Sequence, residues 1–224
     1  CNPGEYLPLG EPDCALCEPG SYSVGGGSKY MNWEAWPAGF SSYCVFQLDA
    51  DQNLPCSAWV LNGTFVHSGD MKGKRLVDSV LELKVDLMRA GSVAFEYKVD
   101  SERRWDGLYF MVDGETKMQM ESYEFQYESM AIPLAQGYHT LQWIYHKDVA
   151  YEMGEDRASV RSIQVLGTKY NTETCFSCPK GHFSKPGSAE CEVCPVNTYS
   201  DKSGSAECKP CNPPGAKGQA KYAF

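Results

Sequence analysis

Helical periodicity, clustered basic charge and long apolar runs are all missing from this chain, and each absence narrows what it can be. No segment repeats apolar residues at helical spacing over a useful length, so the chain is expected to be mainly β. Lys and Arg number 20 against 29 Asp and Glu, a net charge of −9, and the basic residues are scattered. Without a basic patch there is no electrostatic footprint for nucleic acid or an anionic membrane, and both are excluded as partners. No apolar run reaches the roughly 18 residues of a spanning helix, and no secretory leader is recognisable. Because the chain begins on a cysteine in mid-repeat and breaks off soon after Cys211, the expectation is a piece of a larger protein whose signal and membrane span lie elsewhere.

Catalytic motifs are missing as well. His67, His139, His146 and His182 are dispersed and form no metal-binding spacing. Gly25-Gly26-Gly27 leads into no strand-to-helix turn, so it reads as a connector rather than a phosphate cradle. Carboxylates are plentiful, yet nothing pairs them as general acid and base. A non-enzyme without an obligatory cofactor is expected.

What the chain has is alternation. Leu81, Leu83, Val85 and Leu87 alternate with polar residues up to a break at Gly91, and Val93, Phe95, Tyr97 and Val99 resume the pattern, which reads as a hairpin. Leu108, Phe110 and Val112 alternate next and stop at Asp113-Gly114, a dipeptide suited to a tight turn, so a second hairpin follows. Tyr123, Phe125 and Tyr127 continue into Ile132-Pro133-Leu134, whose proline suits an edge strand. His139 to Tyr145 and Ala158 to Val165 complete the set. Short strands with turn signals between them predict an antiparallel, jelly-roll-like sandwich.

The 11 cysteines divide the chain. Loops opening at Cys1, Cys17, Cys178 and Cys194 share one grammar: an aromatic five residues on (Tyr6, Tyr22, Phe183, Tyr199) and, three residues on, Gly4, Gly20, Gly181 or Asn197, which tolerate a left-handed backbone. The first, third and fourth copies close at Cys14, Cys191 and Cys208, whereas the partner of Cys17 by this grammar is Cys175. The β segment is thus inserted within one repeat. The expected bridges are Cys1–Cys14, Cys17–Cys175, Cys178–Cys191 and Cys194–Cys208, with Cys44–Cys56 inside the insert and Cys211 left to open a further copy. Repeats then occupy residues 1–22 and 175–210, the β domain 23–174, and a truncated repeat 211–224. Four Cys-x-x-Cys pairs also suit zinc, but the repeat grammar and the unmatched insertion favour bridges. Flanks rich in Gly, Pro and Ser bury little core and need such cross-links. Asn62-Gly63-Thr64 is a glycosylation sequon, which together with the cysteines favours an extracellular or luminal site.

Two candidate binding features stand out. Trp105, Asp106 and Tyr109 sit at a turn and strand start, where a ring could stack on a sugar and Asp106 accept its hydroxyl protons; core or rim packing is the competing explanation. Asp148, Glu155 and Asp156 bracket a loop and offer oxygen ligands to calcium, against the simpler reading of a solvated acidic loop. Trp33, Trp36, Pro37 and Phe40 read as an apolar plug where the chain enters the β domain.

The repeats resemble the cysteine-rich modules of ephrin and tumour-necrosis-factor receptors. The opening Cys-Glu-Pro-Gly-Ser-Tyr-Ser from Cys17, the stretch from Asn32 to Phe40, the domain end from Arg161 to Gly167 and the return from Thr174 to Pro179 resemble the luminal region of the endosome-lysosome-associated apoptosis and autophagy regulator family. That resemblance implies a single-pass type I membrane glycoprotein of the secretory and endolysosomal system, with a mannose-6-phosphate-receptor-like domain outside these residues. The segment from Phe95 to Val165 also resembles repeated β-sandwich modules of large adhesins. The leading expectation is a receptor-like segment in sorting or protein interaction, presenting the sandwich on a semi-rigid stalk. A carbohydrate-binding module and a structural component of an extracellular assembly are the alternatives, so the expected partners are other proteins or glycans.

Overall fold

A computed structural model describes residues 1–47, 56, 58–102, 104–121, 126–149, 154–168 and 173–211. The described residues contain strands and no helix. In chain order these are β1 (Glu5–Tyr6), β2 (Ala15–Leu16), β3 (Ser21–Tyr22), β4 (Gly27–Tyr30), β5 (Phe40–Phe46), β6 (Val60–Leu61), β7 (Val66–His67), β8 (Val77–Leu87), β9 (Gly91–Asp100) and β10 (Gly107–Val112). They continue with β11 (Glu115–Met120), β12 (Glu128–Leu134), β13 (Gly137–Lys147), β14 (Arg157–Leu166), β15 (Phe176–Ser177), β16 (His182–Phe183), β17 (Glu192–Val193), β18 (Thr198–Tyr199) and β19 (Lys209–Pro210). Two compact units emerge: Ser28–Thr168, and Cys1–Gly27 together with Lys169–Phe224. The β unit is thus narrower at both ends than the bounds drawn from the cysteines.

The larger unit is a jelly-roll-like sandwich. One sheet has the order β11-β10-β13-β8-β5, the other β12-β9-β14-β7-β6 with β4 pairing β14. Alternation explains it locally: Val93, Phe95, Tyr97 and Val99 of β9 are buried, and the residues between them face outward. The two inner faces meet in an aromatic cluster. Phe95 of one sheet lies 4.7 Å from Phe110 and 5.5 Å, edge-on, from Trp143 of the other. Each such ring stabilises the fold by roughly 1.5–3 kcal/mol through burial. Of the entry plug, Trp33 is fully buried, meets Phe40 edge-on at 5.6 Å and donates from Nε1 to the Arg161 carbonyl at 2.7 Å, while Trp36 is partly exposed.

Two expectations about pairing fare differently. The run ending at Gly91 is not a hairpin: β8 pairs with β5 and β13, and β9 pairs with β12 and β14 in the opposite sheet. The chain crosses the core at the break instead of folding back, because both strands have an apolar face to bury and each finds its partner in a distant segment. The Asp113-Gly114 hairpin does form. Both residues take positive φ, +53° and +81°, the pattern of a tight two-residue turn. Pro133 lies in β12, an edge strand. Tyr123 and Phe125 fall outside the described residues.

The smaller unit stacks four minimal ladders, β1-β2, β3-β15, β16-β17 and β18-β19. Disulfides join Cys1 to Cys14, Cys17 to Cys175, Cys178 to Cys191 and Cys194 to Cys208; Cys44 and Cys56 are joined within the sandwich, and Cys211 is free. Thiols held in bridges are not zinc ligands. One hydrogen-bond rule recurs along the array: each opening cysteine donates its amide to the carbonyl three residues into the preceding copy. The pairs are Cys17 to Gly4, Cys178 to Gly20, Cys194 to Gly181 and Cys211 to Asn197, all at 2.8–2.9 Å. Asn62 and Thr64 of the sequon are exposed on a turn closed by the Asn62 amide bonding to the Phe65 carbonyl.

Candidate functional site

Residues directly opposite one another in an antiparallel sheet share a face, so the registers of the five-stranded sheet assemble its outer surface row by row. The central row reads Tyr43, Val80, Ile144, Tyr109 and Gln119, one residue from each strand. On one side lies Ser41, Glu82, Gln142 and Met111, and on the other Val45, Asp78, His146 and Gly107. Two tyrosines therefore flank Val80, which is buried, and Ile144, which is partly exposed, and polar side chains border the row on both sides.

Each tyrosine is held by a carboxylate and an amide. Tyr43 donates its hydroxyl to Glu82 Oε2 at 2.9 Å, and Gln142 Nε2 donates to both, at 3.1 Å to Tyr43 and 3.0 Å to Glu82. Tyr109 donates to Glu121 Oε1 at 2.9 Å and accepts from Gln119 Nε2 at 3.2 Å. Beside it, His146 Nδ1 lies 2.8 Å from Asp78 Oδ1 and 3.2 Å from Gln47 Nε2, and its ring meets Tyr109 edge-on. Partial burial would raise the Glu82 carboxyl, but donors from Tyr43, Lys84 and Gln142 outweigh it and hold the group below the usual carboxylate range. Burial, reinforced by Glu121, pushes Tyr109 up to about 12. The Asp78 hydrogen bond raises His146 above the ordinary histidine value, against the opposing effect of burial. At neutral pH the platform thus presents the ionised Glu82 carboxylate, the neutral hydroxyls of Tyr43 and Tyr109, and primary amides. Farther along the same two central strands, Lys84, Val85, Asp86, Tyr138, His139 and Thr140 line a shallow depression.

The three residues singled out from the sequence are not together on this face. Tyr109 is in the central row, and Trp105 is 61% exposed in the preceding loop. Asp106 is completely buried and cannot meet a ligand. Its Oδ2 accepts from Lys147 Nζ at 2.5 Å and its Oδ1 from the Asp148 amide at 2.8 Å. This is the physical reason for the difference: β13 ends by turning Lys147 inward, and a buried ammonium requires a buried carboxylate.

The acidic loop is also rearranged. Glu102, Asp106 and Asp148 have carboxylate oxygens within 4.8 Å of one another, while Glu155 pairs with Arg157. Lys147 Nζ reaches Asp148 at 3.6 Å and Asp156 at 3.8 Å, so an ammonium already supplies the cation among these acids. The acids brought together are thus not the three read from the sequence as calcium ligands, Asp148, Glu155 and Asp156, because Glu155 is drawn to Arg157. Burial, together with Asp106 and Asp148, raises Glu102 above the normal range; the surrounding acids raise Lys147 despite its burial.

Tyr43, Glu82, Gln142, Gln119 and Glu121 were missed from the sequence. Their only signal was polar or aromatic identity at outward positions of alternating strands, and alternation does not say which strands are neighbours.

Fold and cross-links define a class: a β-sandwich module inserted into an array of small disulfide-linked repeats. The chain belongs to the endosome/lysosome-associated apoptosis and autophagy regulator family. Residues 27–169 match the family described as ELAPOR1-like, galactose-binding domain, and residues 181–221 match one described as tyrosine-protein kinase ephrin type A/B receptor-like. The human endosome/lysosome-associated apoptosis and autophagy regulator family member 2 is 31% identical over 222 residues, covering 90% of this chain and 21% of the relative. Human endosome/lysosome-associated apoptosis and autophagy regulator 1 is 29% identical over 214 residues, with the same coverage of 90% and 21%. The chain thus spans about a fifth of the length of these curated relatives. Among solved structures, the K1 cleaved adhesin domain of Lys-gingipain from Porphyromonas gingivalis is similar at a TM-score of 0.44 and 10% identity, covering 64% of this chain and 99% of that one. A likeness of that size carries no functional argument. The disulfides and the endosome/lysosome-associated relatives agree on a luminal or extracellular location.

Proposed function

We propose that this chain is a non-catalytic binding segment of a longer, receptor-like type I membrane glycoprotein working in endolysosomal or secretory sorting, and that the outer face of its five-stranded sheet binds carbohydrate. The observation that carries the reading is the central row, in which Tyr43 and Tyr109 flank Val80 and Ile144, each tyrosine fixed by a carboxylate and an amide. Sugars present alternating C–H faces and hydroxyl edges. The aromatic rings and the partly exposed Ile144 suit the former, and Glu82, Gln142, Gln119 and Glu121 suit the latter with fixed acceptors and donors. The description of the matching family as a galactose-binding domain supports the same class of ligand. Asn62 on its exposed turn is proposed as a glycan acceptor, with its own sugar attached away from the platform strands.

The test is binding of the 224-residue chain to a glycan array. Saturable binding weakened by both Tyr43→Ala and Tyr109→Ala, with thermal unfolding unchanged, is the expected result. Binding indifferent to both substitutions would overturn the assignment of the face, and a folded chain that binds no glycan would turn the function to protein contacts.

A further inference from the structure

Resting on the carbohydrate reading above, we infer that the platform selects uncharged oligosaccharides of about three units and rejects sulfated, phosphorylated or sialylated ones. Two observations lead there, one of length and one of charge.

The two tyrosine stations are on β5 and β10, separated by β8 and β13. Three steps between neighbouring strands at about 4.8 Å each place them roughly 14 Å apart. A single pyranose cannot touch both stations, whereas a short chain laid across the strands can. Each station also carries its own carboxylate and amide, so each is equipped to hold one sugar unit. Between them Ile144 is partly exposed and offers a middle unit an apolar contact, whereas Val80 is buried.

The charge argument concerns what an anionic group would meet. Asp78, Glu82 and Glu121 border the central row. None of β5, β8, β10, β11 and β13 contains an arginine. The cations on this side are already engaged: Lys84 with Glu82 at 3.3 Å, Lys117 with Glu115 at 2.7 Å, and His146 with Asp78. Lys147 belongs to the buried cluster at the opposite surface of its strand. A sulfate or phosphate brought to the row would face carboxylates with no guanidinium from these five strands to receive it, and like charges juxtaposed across an interface oppose binding. A neutral hydroxyl meets the same carboxylates as acceptors.

Calorimetry at low ionic strength, using the 224-residue chain, reads both parts. The probes are galacto-, manno- and gluco-oligosaccharides of one to four units, with sulfated and sialylated forms of whichever neutral trisaccharide binds. The expected result is a gain of about tenfold or more from one unit to three, no comparable gain from three to four, and a loss of about tenfold or more on adding the charged group. Glu121→Lys, checked for unchanged unfolding, should recover the charged form selectively. Equal affinity for neutral and charged forms overturns the charge selection. A monosaccharide bound as tightly as the trisaccharide overturns the length. No binding by any neutral probe overturns the carbohydrate reading itself.

Discussion

The amide of Cys178 donates to the carbonyl of Gly20 at 2.9 Å, although the whole sandwich lies between them in the chain. The same bond joins Cys17 to Gly4 and Cys194 to Gly181, where nothing is inserted. The repeat therefore closes over a domain-sized insertion as it does over a short loop, because what defines it is a backbone bond and a disulfide at its base.

Gly20 is consequently a sensitive position. Its φ is +81°, and a Cβ there would lie 2.2 Å from the Gly204 carbonyl oxygen. Gly20→Ala should destabilise the repeat unit by roughly 1–3 kcal/mol through left-handed strain alone, with the clash adding to it. Hydrogen exchange would show faster exchange at Cys178 and its neighbours while β8, β9 and β13 keep their protection; unchanged protection at Cys178 would refute this account.

Lys147 is the second. Truncating it to Met leaves Asp106 buried with its principal cation gone, and breaking a buried pair from one side costs about 3–5 kcal/mol. Chemical denaturation of Lys147→Met should show a loss of that size, with the midpoint falling and the slope preserved. The double variant Lys147→Met with Asp106→Leu should recover part of it.

The His146–Asp78 pair makes stability depend on pH. Because the pair raises His146 in the folded state, its contribution is fully present below the ordinary histidine value of 6.5 and disappears as pH rises through the raised value. Thermal melts from pH 5 to 9 should therefore show a smaller decline toward alkaline pH in His146→Gln than in the parent chain. Identical pH profiles would mean that the pair contributes nothing. His139, raised by Asp113 and the Ala135 carbonyl despite burial, gives a trend of the same sign in both proteins and cancels in the comparison.

Reduction separates the two units energetically. The repeat unit buries few apolar side chains, Cys17, Tyr22, Val24, Cys178 and Cys191 among the described residues, whereas the sandwich has its own aromatic core. Limited proteolysis under full reduction should cleave residues 175–211 and leave the span around β8–β14 intact. A repeat unit still resistant after reduction would show that its stability does not come from the bridges.

Much of this was legible from residue order. Strict alternation in β9 and β13 revealed strands because a half-buried strand must alternate, and Asp113-Gly114 revealed its turn because few dipeptides take two positive φ values. The Gly91 break misled: a glycine between two alternating runs serves equally a hairpin and a crossing between sheets, and only the partners available to Leu81 and Phe95 distinguish them. Asp106 misled for a related reason. An acid beside an exposed tryptophan looks solvated until the fold brings Lys147 beneath it.

By itself the sequence determined the all-β class, the repeat grammar and the inserted arrangement, since periodicity and spacing are local properties that survive without coordinates. Tertiary structure alone decided which strands are neighbours, and with them the platform. Tyr43, Val80, Ile144 and Tyr109 come from four separate segments, and their alignment depends on strand registers fixed by burying the opposite faces of those same strands.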